Sequence, residues 1–399
     1  MVDGWKIHTI GDLFEIKAGG DLQKQYYSAV PTDIFKYQIF ANSLENKGLY
    51  GYTSQPRFDG DAVTITGRGD IGHAEYRPDR FDAIVRLLVL MPKVDIDCKY
   101  ITYYINSLVH FPKENTGVSQ LTDPKVKRIK INIPETKLEQ TAIANILSKV
   151  DEAIASVQKS ISAAERLKKS LMQNLLTGCM KPDGTFRKED EFYVDEKFGR
   201  VPKGWEVKRV KEFGDVITGK TPPTENSNAF SDREHGYMFI TPGDVDVSKY
   251  IEFTDRYVSN TGIEFSYTLP ANSVCEVCIG STIGKIGITT QECCTNQQIS
   301  SVVMNEQNDA EFFYYAMLSR RGHFNSIAGV NATPQINKSE YSKYKVLSPK
   351  TKEEQIEVAQ IIRMFDEEIS NKQTKVAVLE RLKKSLMQNL LTGKVRVSL

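Results

Sequence analysis

One stretch of the chain matches a phosphate-binding pattern. Residues 214–221, Gly-Asp-Val-Ile-Thr-Gly-Lys-Thr, fit G-x-x-x-x-G-K-[ST] at every required position. Such a loop binds phosphate only when a helix begins at the lysine, because the first amide groups of that helix then point at the phosphate oxygens. Here Pro222 and Pro223 follow at once, and a proline disfavours helical backbone at the residue before it. We therefore expect no nucleotide site at Lys220.

Four of the six cysteines are clustered in the sequence, at Cys275, Cys278, Cys293 and Cys294. The first two have half of the spacing of a zinc site. However, the segment from Ser273 to Ile279 has the pattern of a β-strand, in which residues three apart point to opposite faces. The other two cysteines are adjacent and would also diverge. We expect structural thiols, and the alternative is a metal site.

A long exact repeat shows how the chain is organised. The fourteen residues Glu165–Gly178 recur unchanged as Glu380–Gly393, and at the same offset of 215 residues 25 of the 45 positions from Pro134 to Gly178 are identical. The starts of the halves also match, since Gly4-Trp5 corresponds to Gly204-Trp205. The chain therefore has two halves that share a frame and differ in between. Either both copies face the same kind of partner, or the duplication is recent.

The repeated segments predict two long helices. Capping boxes at Thr136-x-x-Glu139 and Thr351-x-x-Glu354 start them, and Gly178 and Gly393 stand where left-handed C-caps would. Between the caps, apolar residues recur in alternating steps of four and three, as in a coiled-coil seam that a lysine interrupts at the same step of both copies (Lys168 and Lys383). Each helix could run about 40 residues, or roughly 60 Å. The other copy is the obvious partner, which predicts an antiparallel pair.

The bodies between the helices are rich in short β-like runs. Examples are Ala83–Met91 and a closing strand over Lys127–Ile133, and helices are expected near Tyr100–Val109 and Ala310–Ser319. The predicted fold is α+β, with two mixed, strand-rich domains separated by two long helices in an antiparallel coiled coil and a pseudo-twofold internal repeat. The predicted segments are residues 1–133 and 204–347 for the bodies, 134–178 and 348–399 for the helices with the C-terminal tail, and 179–203 for a linker.

No shared catalytic motif is found. There is no Asn-Pro-Pro-aromatic motif and no His-Glu-x-x-His motif, and the five histidines are scattered. A nuclease-like Glu135-Thr136-Lys137 occurs, but the corresponding repeat is Lys350-Thr351-Lys352, so the carboxylate is not part of the common frame. The sequence therefore favours a protein that is not an enzyme.

Composition gives weaker limits. The chain has 399 residues, 52 basic and 51 acidic, so charge alone does not indicate a nucleic-acid partner, and any basic face must be local. No apolar run reaches the roughly 18–20 residues that a membrane span needs, and the first residues lack the apolar core of a signal peptide. We expect a cytoplasmic protein.

Two variable bodies that alternate with two near-identical helices resemble the DNA-specificity subunits of type I restriction-modification systems, and the resemblance covers the whole chain. Its marks in this sequence are Gly204-Trp205 leading to Thr218–Pro222, Gly280–Lys285, a looser Gly67–Gly72, and the helix ends Leu167–Gly178 and Leu382–Gly393. Each motif is weak alone, but their duplicated order is specific.

The resemblance implies a DNA-binding subunit that carries no cofactor. In that family each variable body is a target-recognition domain for one half of a split site in double-stranded DNA. The helices fix the spacer and dock two methyltransferase (modification) subunits, which use S-adenosylmethionine. Restriction subunits add cleavage driven by ATP and Mg²⁺. Two alternatives stay open: a coiled-coil scaffold that joins two protein-binding domains, and the specificity subunit of a methyltransferase-only complex.

The candidate DNA contacts are polar residues in loops bounded by glycine. Base edges are bound by forked groups such as those of Arg and Gln, and phosphates by Lys, Ser and Thr. In the first half the candidates are Lys17, Arg57, Arg68, Arg77 and Gln120. In the second half they are Lys220, Thr221, Ser281, Lys285, Gln297 and Gln335. Gln120 and Gln335 are related by the repeat offset of 215.

Overall fold

The computed structural model describes residues 3–111, 120–223, 225–329 and 334–397. The chain forms two compact units, one made of Met1–Lys159 with Lys372–Leu399 and the other of Ser160–Asn371. Each unit holds one strand-rich body and a part of each long helix. The domain boundaries proposed from the sequence stay a prediction, because these units divide the chain inside the helices and not at their ends.

The first body is built from short strands and three helices. In chain order they are β1 Trp5–Thr9, α1 Ile10–Leu13, β2 Phe14–Ala18, β3 Tyr27–Ser28, β4 Tyr37–Phe40, β5 Leu49–Thr53, β6 Ala62–Ile65, β7 Ala74–Arg77, β8 Phe81–Ala83, β9 Leu88–Pro92, α2 Cys98–Leu108, α3 Asp123–Lys127 and β10 Lys130–Pro134. The strands form two sheets, in the orders β2-β9-β6-β7 and β3-β5-β4-β8, and β1 pairs with β10. Along β6, Val63 and Ile65 join the apolar cluster of helix α2, whereas Ala62 joins the cluster of Phe81. Because successive side chains of a strand point to opposite faces, β6 contributes to two apolar cores.

The first long helix, α4 Lys137–Leu176, and a hairpin of β11 Phe192–Asp195 and β12 Gly199–Pro202 connect the bodies along the chain. The second body then contains β13 Trp205–Arg209, β14 Gly214–Thr218, β15 Phe230–Ser231, β16 Tyr237–Ile240, β17 Tyr250–Ile251, β18 Tyr257–Val258, α5 Asn260–Ile263, β19 Thr268–Leu269, β20 Val274–Val277, β21 Ile286–Thr289, β22 Cys293–Thr295, β23 Ile299–Met304, α6 Ala310–Ser319, α7 Arg321–Ile327, α8 Lys338–Lys343 and β24 Lys345–Pro349. Helix α9, Lys352–Leu390, follows. Short 3₁₀ helices occupy Lys24–Tyr26, Glu45–Gly48, Glu189–Glu191, Val210–Glu212 and Ser227–Ala229.

The second body repeats the plan of the first. Its sheets have the orders β14-β23-β20-β21-β17 and β15-β18-β16-β22-β19, and β13 pairs with β24. The pairing of first and last strand has the same register in both bodies, because Trp5 lies opposite Pro134 and Trp205 lies opposite Pro349. The predicted α+β fold with an internal repeat is confirmed.

The predicted apolar seams are the inward faces of the long helices. Every predicted seam position of both helices is buried or half-buried. In the second unit, Lys168 of α4 forms an ion pair with Asp366 of α9. In the first unit, Lys383 of α9 forms the corresponding pair with Asp151 of α4 at 2.6 Å. The late part of one helix thus lies against the early part of the other, so the helices are antiparallel within each unit.

The caps explain where these helices end. Gly178 and Gly393 have φ of 66° and 71°, as the C-cap prediction requires. At the starts only half of each capping box forms, since the Glu139 and Glu354 amides donate to the preceding threonine hydroxyls at 3.4 Å. The carboxylates of these two glutamates instead bind arginines, Arg396 in the first unit and Arg187 in the second.

Two sequence predictions of strands were wrong in detail. The run Ala83–Met91 is not one strand, since a turn separates β8 from β9 and the two strands belong to different sheets. The predicted strand Lys127–Ile133 begins later, because helix α3 continues to Lys127. Among the residues that the structure describes, no helix is both long enough and apolar enough to cross a membrane.

Candidate nucleic-acid interface

Several strands of the first unit end at one edge of its body. Strand β2 runs into Gly19 and Gly20, and a turn at Ile84–Leu87 leads from β8 to β9. The Gly19 amide donates to the carbonyl of the last turn residue at 2.7 Å, and the two central turn amides donate back to the carbonyls of Gly20 and Gly19 at 3.0 Å. A Cβ atom at Gly19 would lie 2.6 Å from the Ala83 carbonyl carbon, so glycine is needed there.

The loop between β6 and β7 reaches the same edge. This loop, Gly67–Gly72, pairs with the segment that carries Gln120, because Arg68 and Gln120 form a β-bridge and the Leu121 amide donates to the Gly67 carbonyl at 2.9 Å. The side chain of Asn42 links loop and turn, since its Oδ1 accepts from the Gly67 amide at 2.7 Å while its Nδ2 donates to a turn carbonyl at 2.5 Å. Two predicted contacts, Arg68 and Gln120, are thus brought together.

The second unit has an edge of the same construction. Strand β14 runs into Gly219, whose amide donates at 3.0 Å to the carbonyl of the last residue in the turn Asn296–Ile299. The Lys220 amide donates to the residue before that turn, also at 3.0 Å. The Thr221 hydroxyl donates to Gln297 Oε1 at 2.5 Å, so two predicted contacts touch each other. Because residues 214–218 form a strand and no helix begins at Lys220, the phosphate-loop pattern is not a phosphate loop.

The loop between β20 and β21 completes this edge. It spans Cys278–Lys285 and includes the predicted contacts Ser281, which is exposed, and Lys285, which is half-buried. The Ile336 amide donates to the Cys278 carbonyl at 2.9 Å, and the preceding residue, Gln335, forms a β-bridge with Ile279. Gln335 therefore forms the same kind of β-bridge with this loop as Gln120 forms with the loop Gly67–Gly72.

We call these two groups of residues the first edge and the second edge. The first edge comprises Gly19–Gly20, Gly67–Gly72, Ile84–Leu87 and Gln120. The second comprises Gly219–Thr221, Cys278–Lys285, Asn296–Ile299 and Gln335. Several of their backbone hydrogen bonds correspond, among them those from the Gly19 and Gly219 amides to the last turn residue, but most of their side chains differ. Each edge presents forked or cationic groups such as Arg, Gln and Lys, which can bind base edges and phosphates.

Two predicted contacts have structural partners instead. Arg57 binds Asp82 with two bonds, Nε to Oδ1 at 2.5 Å and Nη2 to Oδ2 at 3.0 Å, and also donates to the Ala83 carbonyl. Arg77 is only 6% exposed, donates to Thr64 and Lys47, and burial lowers its pKa to about 10. Both guanidinium groups are used inside the first unit, which does not favour a direct base contact.

The remaining predicted contact of the first half, Lys17, is exposed on β2 two residues before Gly19. Its ammonium group lies 3.1 Å from a carboxylate oxygen of Glu15 on the same face of the strand. Exposed pairs of this kind are weak, so the lysine can exchange this partner for a phosphate.

Sequence reasoning missed one residue of the first edge, Arg86, and one residue that supports it, Asn42. Arg86 is exposed at the centre of the turn, and Asn42 makes the link described above. No glycine or proline marks that turn in the sequence, and Asn42 lies far from it along the chain. The parallel with the second edge, where Gln297 occupies the matching turn, is visible only in the hydrogen-bond pattern.

The cysteines do not form one ligand set. Cys278 lies in the apolar cluster of helix α6, Cys275 and Cys293 lie in a second cluster, and Cys294 lies in a third. All four are buried, and burial raises the pKa of the Cys275 thiol to about 12. In the part of the chain that the structure describes, no group of three or more His, Cys, Asp or Glu could hold a metal ion.

A buried carboxyl group lies behind the second edge. Glu276 of β20 is 1% exposed, and its Oε2 has no hydrogen-bond partner among the described residues. Burial raises the pKa of Glu276 to about 8, an effect that the nearby Tyr341 hydroxyl and Arg321 guanidinium partly oppose. At the matching position of the first unit, β6 carries Ile65. The two bodies thus differ at one core position, which carries an ionisable group only in the second.

Comparison with known proteins identifies one family. Residues 2–166 and 202–381 match the family model of the type I restriction modification DNA specificity domain. The chain is 22% identical to the type I restriction enzyme HindI specificity subunit of Haemophilus influenzae, over 98% of this chain and 99% of that protein. It is 26% identical to the MjaVIII specificity subunit of Methanocaldococcus jannaschii, over 76% of this chain and 71% of that protein.

Solved structures show the same fold. The S subunit of a type I restriction-modification system from M. genitalium superposes with a TM-score of 0.65 at 17% identity, covering 98% of this chain and 96% of that one. The HsdS subunit of Thermoanaerobacter tengcongensis gives a TM-score of 0.50 at 14% identity, with 98% of both chains covered. Since the family model matches most of the chain in two repeated regions, the protein belongs to the family of type I restriction-modification DNA specificity subunits.

Proposed function

We propose that this chain is the DNA-specificity subunit of a type I restriction-modification complex and that each edge recognises one half of a split site in double-stranded DNA. The observation that carries the proposal is the pair of edges, which share backbone hydrogen bonds and differ in side chains. A scaffold of this kind holds different base-contacting groups in equivalent positions. It suits two modules that recognise different sequences in the same way.

The side-chain chemistry of the edges supports direct recognition of bases. Arg68 with Gln120 in the first edge and Gln297 with Gln335 in the second present forked donors, which bind guanine or adenine edges with two hydrogen bonds. Lys17, Lys220 and Lys285 add positive charges that can bind phosphates. The formal net charge is only +1, so much of the nonspecific attraction to DNA would come from partner subunits.

The repeated helices support a partner that binds twice. Leu167 and Leu382 are 52% and 46% exposed at corresponding positions of the identical segments. An exposed leucine repeated in both copies has no evident packing reason inside its own unit. We assign these faces to two copies of a methyltransferase subunit, which would carry S-adenosylmethionine, while restriction subunits would use ATP and Mg²⁺. The chain itself would be non-catalytic, without a cofactor, and cytoplasmic, with the helices fixing the spacer.

Methylation mapping tests the proposal. The full chain is co-expressed with its modification subunit in a host without other DNA methylation, and modified bases are mapped along the genome. One split motif is expected, and it should vanish when the chain is omitted. Methylation that is independent of the chain would contradict the proposed function and would favour a protein-binding scaffold. A continuous motif would contradict recognition of a split site by two edges.

Substitutions test whether the two edges are independent. Gln120→Ala should relax one half of the motif and Gln335→Ala the other, at about 1–3 kcal/mol for each lost two-bond base contact. The exposed Arg128, at the end of helix α3 in the first unit, offers a control, and Arg128→Ala should leave the motif unchanged. Loss of both halves from one substitution would argue against independent recognition.

A further inference from the structure

The turn between β8 and β9 is strained. Val85 and Arg86, its two central residues, have φ of 55° and 59°, and the amide of the last turn residue donates to the Ile84 carbonyl at 3.1 Å. Turns with two left-handed central residues normally use Asn and Gly, because side chains with a Cβ rarely tolerate positive φ. A β-branched valine is among the residues least suited to that conformation. The sequence of this turn therefore opposes its own geometry.

The surrounding structure holds the turn in place. The amides of Val85 and Arg86 donate to the carbonyls of Gly20 and Gly19 at 3.0 Å each, and Asn42 Nδ2 donates to the Val85 carbonyl at 2.5 Å. The Oδ1 atom of the same asparagine accepts from the Gly67 amide, which begins the loop of the first edge. Three separate segments thus fix the direction in which the turn points.

The side chains of the two central turn residues are exposed to solvent. Val85 is 49% exposed and Arg86 is exposed. Among the described residues, no hydrogen bond or ion pair engages the Arg86 guanidinium. Arg57 and Arg77 of the same body, by contrast, are hydrogen-bonded within it. Strained backbone that the rest of the fold over-determines is typical of functional sites, and here it presents one free guanidinium.

The second edge places glutamine at the same point. In both units the carbonyl of the last turn residue accepts from the amide of a glycine, which is Gly19 after strand β2 or Gly219 after strand β14. Counting back from that residue, Val85 corresponds to Gln297 and Arg86 to Gln298. Gln297 is exposed and contacts Thr221. Gln298 is half-buried and bonds Asn296 and the Ile279 carbonyl. Both turns therefore carry an exposed forked polar group, but at neighbouring positions of the turn.

We propose that Arg86 is a specificity-determining residue of the first edge that contacts a base of the first half-site through its guanidinium. The ligand chemistry that fits is a pair of acceptors such as N7 and O6 of guanine, which arginine binds with two bonds in the major groove. This inference rests on the proposed function, and it names a contact that the candidates from sequence did not include. The strained turn lies next to the loop that carries Arg68, since a Cβ atom at Gly67 would lie 3.3 Å from the Arg86 carbonyl oxygen.

If Arg86 had only a structural role, its substitution would have different effects on the motif. Glycine is the residue best suited to left-handed backbone, so Arg86→Gly should relieve strain and leave the melting temperature of the chain equal or higher. If the arginine served only the fold, that variant would keep the motif. If it contacts a base, the motif loses information while stability does not fall.

The experiment maps methylation by the full chain with its modification subunit, as above. Arg86→Gly should lower the preference at one base pair of one half-site by at least about tenfold, with the other half-site unchanged. Arg86→Lys should relax the same position, because an ammonium group cannot make the two-bond contact. Gln297→Ala should relax the opposite half-site. Arg80→Ala, an exposed arginine at the other end of β8, should have no effect.

Each result decides between the alternatives. Wild-type preference at every position in both Arg86 variants would overturn the proposal. The same holds if Arg86→Lys keeps the full motif while Arg86→Gly abolishes methylation, since the group would then serve only as a charge for phosphate. If the wild-type chain itself directs no split motif, the proposed function fails first, and that failure is distinguishable because it needs no variant.

Discussion

The long helices and the two edges preserve different things across the internal repeat. In the helices, side-chain contacts recur: Lys168 with Asp366 and Tyr315 in the second unit, and Lys383 with Asp151 and Tyr103 in the first. At the edges, several backbone hydrogen bonds recur while most side chains change. A contact made by side chains constrains residue type, whereas a contact made by amides and carbonyls constrains only geometry. The edges are therefore free to differ in what they recognise.

Part of the sequence identity of the repeat has an internal reason. Gln140 and Gln355 are buried, and each accepts at 2.9 Å from the amide of the residue that caps the neighbouring body helix, Asp97 or Asp309. The same glutamines donate to the carbonyls of Pro134 and Pro349. Such positions repeat because both units pack in the same way. The exposed repeated leucines lack that explanation, and they are what a shared partner would account for.

The largest expected effect breaks the common backbone of the edges. A Cβ atom at Gly19 would lie 2.6 Å from backbone at Ala83, and one at Gly219 would overlap the backbone of Thr295 and Asn296. Either glycine changed to alanine must push strands apart, at about 2–3 kcal/mol of stability. Gly19→Ala should abolish recognition of one half-site and Gly219→Ala that of the other. Thermal unfolding and methylation mapping check this.

Gly204→Ala provides the control for these variants, because no heavy atom lies within 4 Å of the added Cβ. It should leave the melting temperature and the motif unchanged. If Gly19→Ala and Gly219→Ala were as harmless as the control, the close approach that defines both edges would be wrong.

The next prediction concerns the buried carboxyl group of Glu276, which has no counterpart in the core of the first unit. Burial raises the pKa of Glu276 to about 8, against 4.5 for an exposed carboxyl group. The folded state then holds a proton that the unfolded state has lost, so stability is full below about pH 4.5 and falls as pH rises towards about 8. Glu276→Gln should remove this fall and raise the free energy of unfolding at pH 8.5 by on the order of 2–3 kcal/mol.

Denaturant unfolding between pH 5 and pH 9 measures this effect. The variant and the wild type should be close at pH 5 and separate as pH rises. Glu264→Gln changes an exposed carboxylate of the same unit and should leave the pH profile as it is. Parallel profiles for Glu276→Gln and the wild type would show that the buried carboxyl group does not change its protonation on folding.

The frame of the molecule could be predicted from the sequence because it depends on local patterns. The spacing of the apolar seam and the terminal glycines predict the two long helices. The repeat offset of 215 predicts that Gln120 and Gln335 occupy corresponding positions, and both form a β-bridge with a loop of their edge. The edges could be predicted only in part. The glycine-bounded loop of Arg57 predicts a DNA contact, but strand β8 brings Asp82 to this arginine, and no local pattern encodes that contact.

The turn at Val85-Arg86 shows the same limit more sharply. Turns of this backbone type are normally recognised by Asn or Gly, and a β-branched residue beside an arginine predicts a continuing strand. The sequence therefore predicts a continuous strand over Ala83–Met91, without a turn at Arg86. The turn is held by hydrogen bonds to the backbone carbonyls of Gly19 and Gly20 and from the side chain of Asn42, all distant in the sequence. Tertiary contacts overrode local preference.

A smaller effect concerns how each unit closes the start of its helix. The Glu139 carboxylate is 3% exposed and binds Arg396 of the C-terminal segment at 2.5 and 2.7 Å, whereas Glu354 binds Arg187 of the linker. Removing either arginine leaves a carboxylate with less compensation, at about 2 kcal/mol. Arg396→Ala should cost more than Arg187→Ala, because Trp205 Nε1 still donates to Glu354 at 2.9 Å. Chemical unfolding of both variants tests that order.

The control for these arginines is Arg200→Ala, whose ion pair with Glu189 is largely exposed and should contribute little. An equal or reversed order of Arg396→Ala and Arg187→Ala would mean that the tryptophan bond does not compensate. The first unit would then not depend on its C-terminal segment more than the second depends on the linker.

The smallest effect tests the repeated polar contacts of the helices. Lys168 and Lys383 are 20% and 29% exposed in their side chains, and each meets an aspartate that also accepts from a tyrosine hydroxyl. Lys168→Met and Lys383→Met should each cost about 1 kcal/mol, since the methionine fits the apolar seam while the aspartate loses its cation but keeps its tyrosine. Because the two contacts are equivalent, the two costs should agree within the error of chemical unfolding. Lys169→Met and Lys384→Met, at the exposed neighbouring positions, should leave stability unchanged. If only one of the two substitutions lowered the free energy of unfolding, the repeated contacts would not be energetically equivalent. The helices and the edges would then differ in the geometry that they repeat, but not in the energy of their contacts.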